Sequence, residues 1–142
     1  MRQPVTDAVV EWLEGQGHEV ILVGPLVDGD DREWVAVSEA TVRPVADGAA
    51  DDAVLFCWSG TGACMAANKV PGIRAALCAD AETARLARKF NHANVLVMSM
   101  RATSPAVALE TLAAYLSEPW GQDDFDMRNV RALDSLSSPR TL

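Results

Sequence analysis

The stretch DAVLFCWSGTGACMAANKVPGIRAALC, residues 52–78, decides the fold. DAVLFCW (52–58) is an apolar run, which reads as a strand buried on both faces. Ser59-Gly60-Thr61-Gly62 breaks it, and ACMAANK begins a helix. IRAALC (73–78) then reads as a second buried strand. A strand, a turn, a helix and another apolar strand in so few residues make a parallel crossover unit.

The same alternation continues outward on both sides. DAETARLARKFNH (80–92) is a predicted helix, with Asp80 as N-cap and Glu82 and Thr83 in the first turn. ANVLVMS (93–99) is a strand. Ser104 caps a helix over 105–118 with Pro105 at its first position. Residues 123–133 form a last, partly exposed helix. Toward the N-terminus, 34–48 has helical spacing that Pro44 should bend or shorten. PLVDGDDRE (25–33) is a loop, HEVILVG (18–24) a short buried strand, and 4–15 a helix with Val5, Val9, Trp12 and Leu13 on one face. The expectation is an α/β fold, a parallel sheet with helices on both faces, in a single domain over residues 1–133. DSLSSPRTL (134–142) is expected to be a flexible tail.

Bulk properties narrow the function. The chain has 142 residues, 49% of them apolar, and a formal charge of −8. An acidic surface argues against nucleic acid or an anionic membrane as partner, but a small anion needs only a few local donors. No apolar run approaches the roughly 20 residues that span a bilayer. The N-terminus has no apolar signal-peptide core, so a cytoplasmic setting is expected. Three cysteines without a CxxC pair, and two distant histidines, His18 and His92, predict neither a disulfide framework nor a metal site. Cys64 and Cys78 read as packing residues, and the acid runs 28–33 and 123–126 as solvated loops.

The chemistry concentrates where the first strand of the opening stretch ends. Ligands of parallel sheets bind at the carboxyl ends of strands, and Cys57 occupies such an end. Glycines at 60 and 62 let the chain turn into a helix whose first amides lack partners. Such a nest holds a phosphate or an enediolate oxygen and favours the charged form of a neighbouring thiol. Cys57 therefore reads either as a structural thiol or as a base. Spacing alone does not choose, because the GxxxxGK[ST] pattern is absent.

CWSGTGACMAANKVPGIRAALC, with ARLARKFNHANVLVMSMR (84–101), resembles the ribose-5-phosphate isomerase type B family, which includes the galactose-6-phosphate isomerase subunits. The likeness runs from about Gly17 to Trp120. It implies a Rossmann-like or flavodoxin-like three-layer sheet and a homodimer whose active site draws on both subunits. It implies isomerisation of a phosphorylated sugar through a cis-enediolate, with neither metal nor cofactor. On this resemblance Cys57 is the base. Ser59, Gly60, Thr61 and Gly62 form the oxyanion cradle, Ser59 standing where the family has threonine. Asn91 contacts substrate and Arg101 helps bind the phosphate.

Departures from the family pattern matter as much. The family opens with a strand ending in an Asp-His pair, whereas Met1 and Arg2 lead almost directly into the first helix here. The family's YPD falls on Trp34-Val35-Ala36, its ring-opening histidine on Phe90, and its Arg-His phosphate clamp on Phe125 and Asp126. Trp58 replaces a glycine beside the thiol. The first expectation is an isomerase. The alternatives are a family member that binds a sugar or sugar phosphate without isomerising it, and an isomerase of a non-phosphorylated or open-chain substrate.

Overall fold

The computed structural model describes residues 2–137. Three parallel strands, β1 (Ala53–Cys57), β2 (Ala75–Leu77) and β3 (Val95–Ser99), form a sheet in the order β1-β3-β2. Ala53 stands opposite Val95 and Cys57 opposite Ser99, so the ends of β1 and β3 are level. β3 lies in the middle, and Val95 to Met98 are fully buried.

The described residues form six α-helices, α1 (Pro4–Gly15), α2 (Trp34–Ala46), α3 (Thr61–Asn68), α4 (Ala81–Asn91), α5 (Pro105–Ser117) and α6 (Asp124–Ser135), the last packed on α4. Successive strand residues point to opposite faces, which divides the core in two. On one face Leu96 and Met98 pack with Val5 and Val9 of α1, Ala84 and Ala87 of α4, and Leu112 and Tyr115 of α5. On the other, Leu55, Val95 and Val97 pack with Val42 of α2 and Ala63 and Ala67 of α3. This is the expected three-layer α/β sandwich.

Side chains fix the helix starts as the sequence suggests. Asp80 accepts from the Thr83 amide at 2.7 Å and Ser104 from the Val107 amide at 3.2 Å. An ionic cluster ties α4 and α5 to the residue that precedes β1. Arg88 Nη1 donates to Asp52 Oδ1 at 2.8 Å and to the Ala93 carbonyl at 2.7 Å, and its guanidinium lies 4.5 Å from the centre of the Tyr115 ring. The buried Tyr115 hydroxyl donates to Asp52 and Ala93 as well.

Four expectations need correction. Residues 18–24 form no strand. A strand exists only as one side of a ladder, and among the described residues no backbone group of Glu19 to Val23 is hydrogen-bonded. The outer edge of β1 is also open. The Ala53 amide donates to Asn94 and the Cys57 carbonyl accepts from Met100, so alternate residues of β1 face β3. The amides and carbonyls of Val54 and Phe56 therefore point off the outer edge, where no described strand meets them.

The second correction concerns the end of α2, which stops at Ala46 and not at 48; it still runs two residues past Pro44, because a proline near the last turn forfeits only one backbone bond. The third concerns the predicted tail. It does not start at 134, since α6 continues to Ser135 and Asp134 accepts both oxygens' worth of contact from Arg74 Nη1 at 3.1 Å. Residues 138–142 of that tail lie outside the described residues. Last, the acid run 123–126 is not a solvated loop. Asp123 caps α6 through the Asp126 amide at 2.9 Å, and Asp126 itself is buried with Oδ2 unpartnered. Burial, and next the hydrogen bond from the Asp123 side, hold the Asp126 carboxyl above the usual carboxylate range.

Candidate active site

Cys57 ends β1 at the carboxyl edge of the sheet. Its half-buried side chain packs against the cluster on the α2–α3 face, so the thiol sits on the same side of the sheet as α3. Trp58 follows, 59% exposed, and its carbonyl is held from two sides. The Arg101 amide donates to it at 3.1 Å and the Ser99 hydroxyl at 2.9 Å. Arg101 is thereby brought next to Trp58 across the ends of β1 and β3. Its guanidinium pairs with no carboxylate among the described residues.

The turn is built as the glycines demand. Gly60 is the N-cap of α3 with φ 84° and ψ −18°, in the left-handed region. A Cβ there would lie 2.5 Å from Leu77 Cδ1, so both conformation and space require glycine. No side chain caps α3. The first backbone bond of the helix runs from the Cys64 amide to the Gly60 carbonyl at 3.1 Å. Among the described residues the amides of Thr61, Gly62 and Ala63 have no hydrogen-bond partner, all at the positive end of the helix. Ser59 and Thr61 hydroxyls lie 2.9 Å apart beside them. A thiol, a set of free amides and two hydroxyls thus share one open turn.

Asn91 is not part of this cluster. It ends α4, which starts at the carboxyl edge after β2 and runs back along the sheet for 11 residues. At 1.5 Å per residue that is roughly 16 Å away, at the opposite edge. There Asn91 lines an open groove with Phe90, Asp123, Phe125, Asp126 and Arg128. Both phenylalanines expose their rings, Phe125 to 67%.

The remaining polar residues are structural. Asn68 bridges to Ala75, accepting from its amide at 2.8 Å and donating to its carbonyl at 2.9 Å. His92 is buried, stacks on Trp120 at 5.0 Å, and hydrogen-bonds through Nε2 to the Gly121 carbonyl at 2.7 Å. Burial raises the thiols of Cys64 and Cys78, the latter to about 11, as befits packing residues. Among the described residues no three metal-ligating side chains come together. From the sequence Trp34 stands only as the residue on which the family's YPD begins, with no role of its own. Its benzo ring lies on Gly62, with Cζ3 3.1 Å and Cη2 3.2 Å from where a Cβ would stand. No local pattern announces a contact between a residue that opens one helix and a glycine in the next.

A family model described as Ribose/Galactose Isomerase matches residues 3–134. The chain belongs to that family. It is 37% identical over 126 residues to ribose-5-phosphate isomerase B of Mycobacterium tuberculosis, covering 88% of this chain and 77% of the relative. It is 33% identical over 110 residues to D-erythrulose-4-phosphate isomerase of Pectobacterium atrosepticum, covering 78% of this chain and 72% of the relative. The type B ribose 5-phosphate isomerase structure from Trypanosoma brucei superposes with a TM-score of 0.86 at 36% identity, over 94% of this chain and 90% of that one. The Rossmann-like architecture and the family resemblance read from residues 57–78 and 84–101 are therefore both upheld. Among the described residues no helix is long and apolar enough to cross a membrane.

Proposed function

We propose that the protein is an aldose–ketose isomerase of a phosphorylated sugar. Cys57 removes the proton from the carbon beside the carbonyl. The electrons move onto the carbonyl oxygen, giving a cis-enediolate. Its negative charge is met by the amides of the Gly60–Gly62 turn and by the hydroxyls of Ser59 and Thr61. Return of the proton to the former carbonyl carbon, while the hydroxyl proton of the adjacent carbon passes to the former carbonyl oxygen, completes the aldose–ketose exchange without a metal or cofactor. Arg101 binds the phosphate, to which a guanidinium offers paired donors. The observation that carries this reading is the uncapped first turn of α3 on the same sheet face as Cys57.

Asn91 joins the site only in a homodimer. One chain holds Asn91 and Cys57 at opposite edges of its sheet, so both can touch one substrate only if the groove of one subunit meets the Cys57 turn of another. A twofold axis makes two such sites. Exposed Phe90 and Phe125 at the groove, and Trp34, Trp58 and Met65 around the turn, supply apolar surface for that contact. Unpaired thiols suit a cytoplasmic setting.

The test is proton exchange at C2 in heavy water with ribose 5-phosphate, allose 6-phosphate and galactose 6-phosphate. Exchange with at least one sugar is expected, and Cys57→Ala should slow it by about 10²-fold or more. Mixing inactive Cys57→Ala and Asn91→Ala proteins should restore about a quarter of the activity, because half the dimers are mixed and each carries one intact site. Undiminished exchange in Cys57→Ala overturns the mechanism, and no recovery on mixing overturns the shared site. The second reading is binding without isomerisation. It is favoured by Phe90, an exposed hydrocarbon ring where ring opening needs a proton donor. Absence of exchange together with sugar-phosphate-dependent stabilisation would select it.

A further inference from the structure

Among the described residues His92 is the one non-glycine with a positive φ, 49°, and it ends α4. Its left-handed turn sends the amides of His92 and Ala93 back to the Ala87 carbonyl, the second at 3.1 Å. Glycine would end the helix there with less strain. Histidine adds a ring, but the residue is only 6% exposed, so it does not itself reach a substrate. A strained backbone persists where its surroundings hold it. Three contacts hold this one. Nε2 donates to the Gly121 carbonyl at 2.7 Å, the imidazole stacks on Trp120 at 5.0 Å, and the His92 carbonyl accepts from Arg74 Nε at 2.8 Å.

Gly121 completes the grip. Its amide donates to the Lys89 carbonyl at 2.9 Å while its own carbonyl accepts from His92. The two bonds hold α4 on either side of Phe90 and Asn91, the two α4 residues that line the groove. The chain runs from Gly121 straight into α6, whose Phe125, Asp126 and Arg128 line the groove as well. The fit leaves no slack. A Cβ on Gly121 would stand 2.6 Å from the Lys89 carbonyl oxygen and 3.4 Å from Asp126 Oδ2. One glycine therefore carries the hold of the His92 ring to both walls of the groove.

We infer that His92 is a positioning residue: through Gly121 it fixes the end of α4, and with it the Asn91 amide, where Asn91 meets the substrate. This rests on the reading that Asn91 contacts a sugar phosphate. Asn91 is exposed and is the last residue of its helix. Helix ends fray when nothing holds them. A contact residue displaced by an ångström can lower the rate by about 100-fold, although the residue that displaced it never touches the substrate.

His92→Gly keeps the left-handed turn and removes the ring. Wild type, His92→Gly, Asn91→Ala and the double variant are compared by calorimetry for affinity and by turnover, using whichever of ribose 5-phosphate, allose 6-phosphate and galactose 6-phosphate wild type binds best. Thermal unfolding confirms that each variant is folded. His92→Gly should raise Kd about fivefold or more, the worth of one hydrogen bond. In the Asn91→Ala background it should change Kd less than twofold, because nothing is left to position. Gly121→Ala breaks the same grip without touching the left-handed residue, and it carries the cycle if His92→Gly does not fold. Mixed with Cys57→Ala, His92→Gly should regain activity as Asn91→Ala does; mixed with Asn91→Ala it should not, since those two damage the same half of the site. Equal losses from His92→Gly in both Asn91 backgrounds, or no loss, overturn the positioning role and leave the isomerase reading intact where wild type turns the sugar over. An Asn91-dependent shift in affinity without turnover by wild type upholds the positioning and overturns the isomerase. No binding of any of the three sugars to wild type overturns both.

Discussion

Gly60→Ala tests whether the turn beside Cys57 is shaped as described. Two costs add. The residue sits at φ 84°, and a side chain in the left-handed region costs roughly 1–2 kcal/mol. The new Cβ would also stand 2.5 Å from Leu77 Cδ1, while its next contacts, Ser99 N at 3.4 Å and Met98 C at 3.5 Å, are ordinary. Forcing an extra methyl into packed surroundings costs about 1–3 kcal/mol. Leu77 is 39% exposed and its end can swing toward solvent, which keeps the steric part low. The substitution should therefore cost about 2–4 kcal/mol, the sum of those two ranges weighted to the lower end of the second. Leu77→Ala removes the struck atom and leaves the backbone strain. In that background Gly60→Ala should cost only about 1–2 kcal/mol, a coupling of about 1 kcal/mol or more. Urea unfolding of wild type, both single variants and the double variant measures all four corners. Equal cost in the two backgrounds would refute the steric contact, and a single-variant cost below about 0.5 kcal/mol would refute the left-handed turn as well.

Two further outcomes follow from the described contacts. Arg88→Met strips Asp52 of its cation. Removing one partner of a buried pair costs about 3–5 kcal/mol, and the residual solvent contact of Asp52 lowers this to about 2–4 at neutral pH. Burial already holds the Asp52 carboxyl above its ordinary range, against the pull of Arg88. The folded state thus binds a proton more tightly than the unfolded one, and this group's contribution falls as pH rises through its folded value. Without Arg88 that value moves higher, so the variant's deficit should shrink on acidification; a deficit independent of pH between about 4 and 7 would exclude the pairing. Ser104→Ala should cost about 1 kcal/mol in urea unfolding by freeing the Val107 amide, and Ser104→Asp should restore most of it.

How much of this was legible in the chain differs from element to element. The strand within 52–58, the glycine turn and the helix after it were readable because periodicity, turn chemistry and the AANK…GIRAA pattern act over neighbouring residues. The helix over 105–117 was equally plain, with Ser104 and Pro105 at its start. The segment HEVILVG carries the same apolar content as the true strands, yet a strand is a relation between two chains of backbone groups. Composition names the candidate and pairing decides it, and here no pairing forms. Asp126 misled for a related reason: an acid run looks solvated until the fold packs a helix over one of its members.

By itself the sequence determined the alternation of strands and helices, the helix starts, the family and the glycine turn that follows Cys57, because each depends on interactions within a few residues or on a contiguous motif. Only the tertiary structure decided that Cys57 faces the side of the sheet carrying α3, that Asn91 stands at the far edge, and that Trp34 lies on Gly62. Those three depend on how separate elements pack, and packing joins residues whose separation along the chain carries no periodic signal.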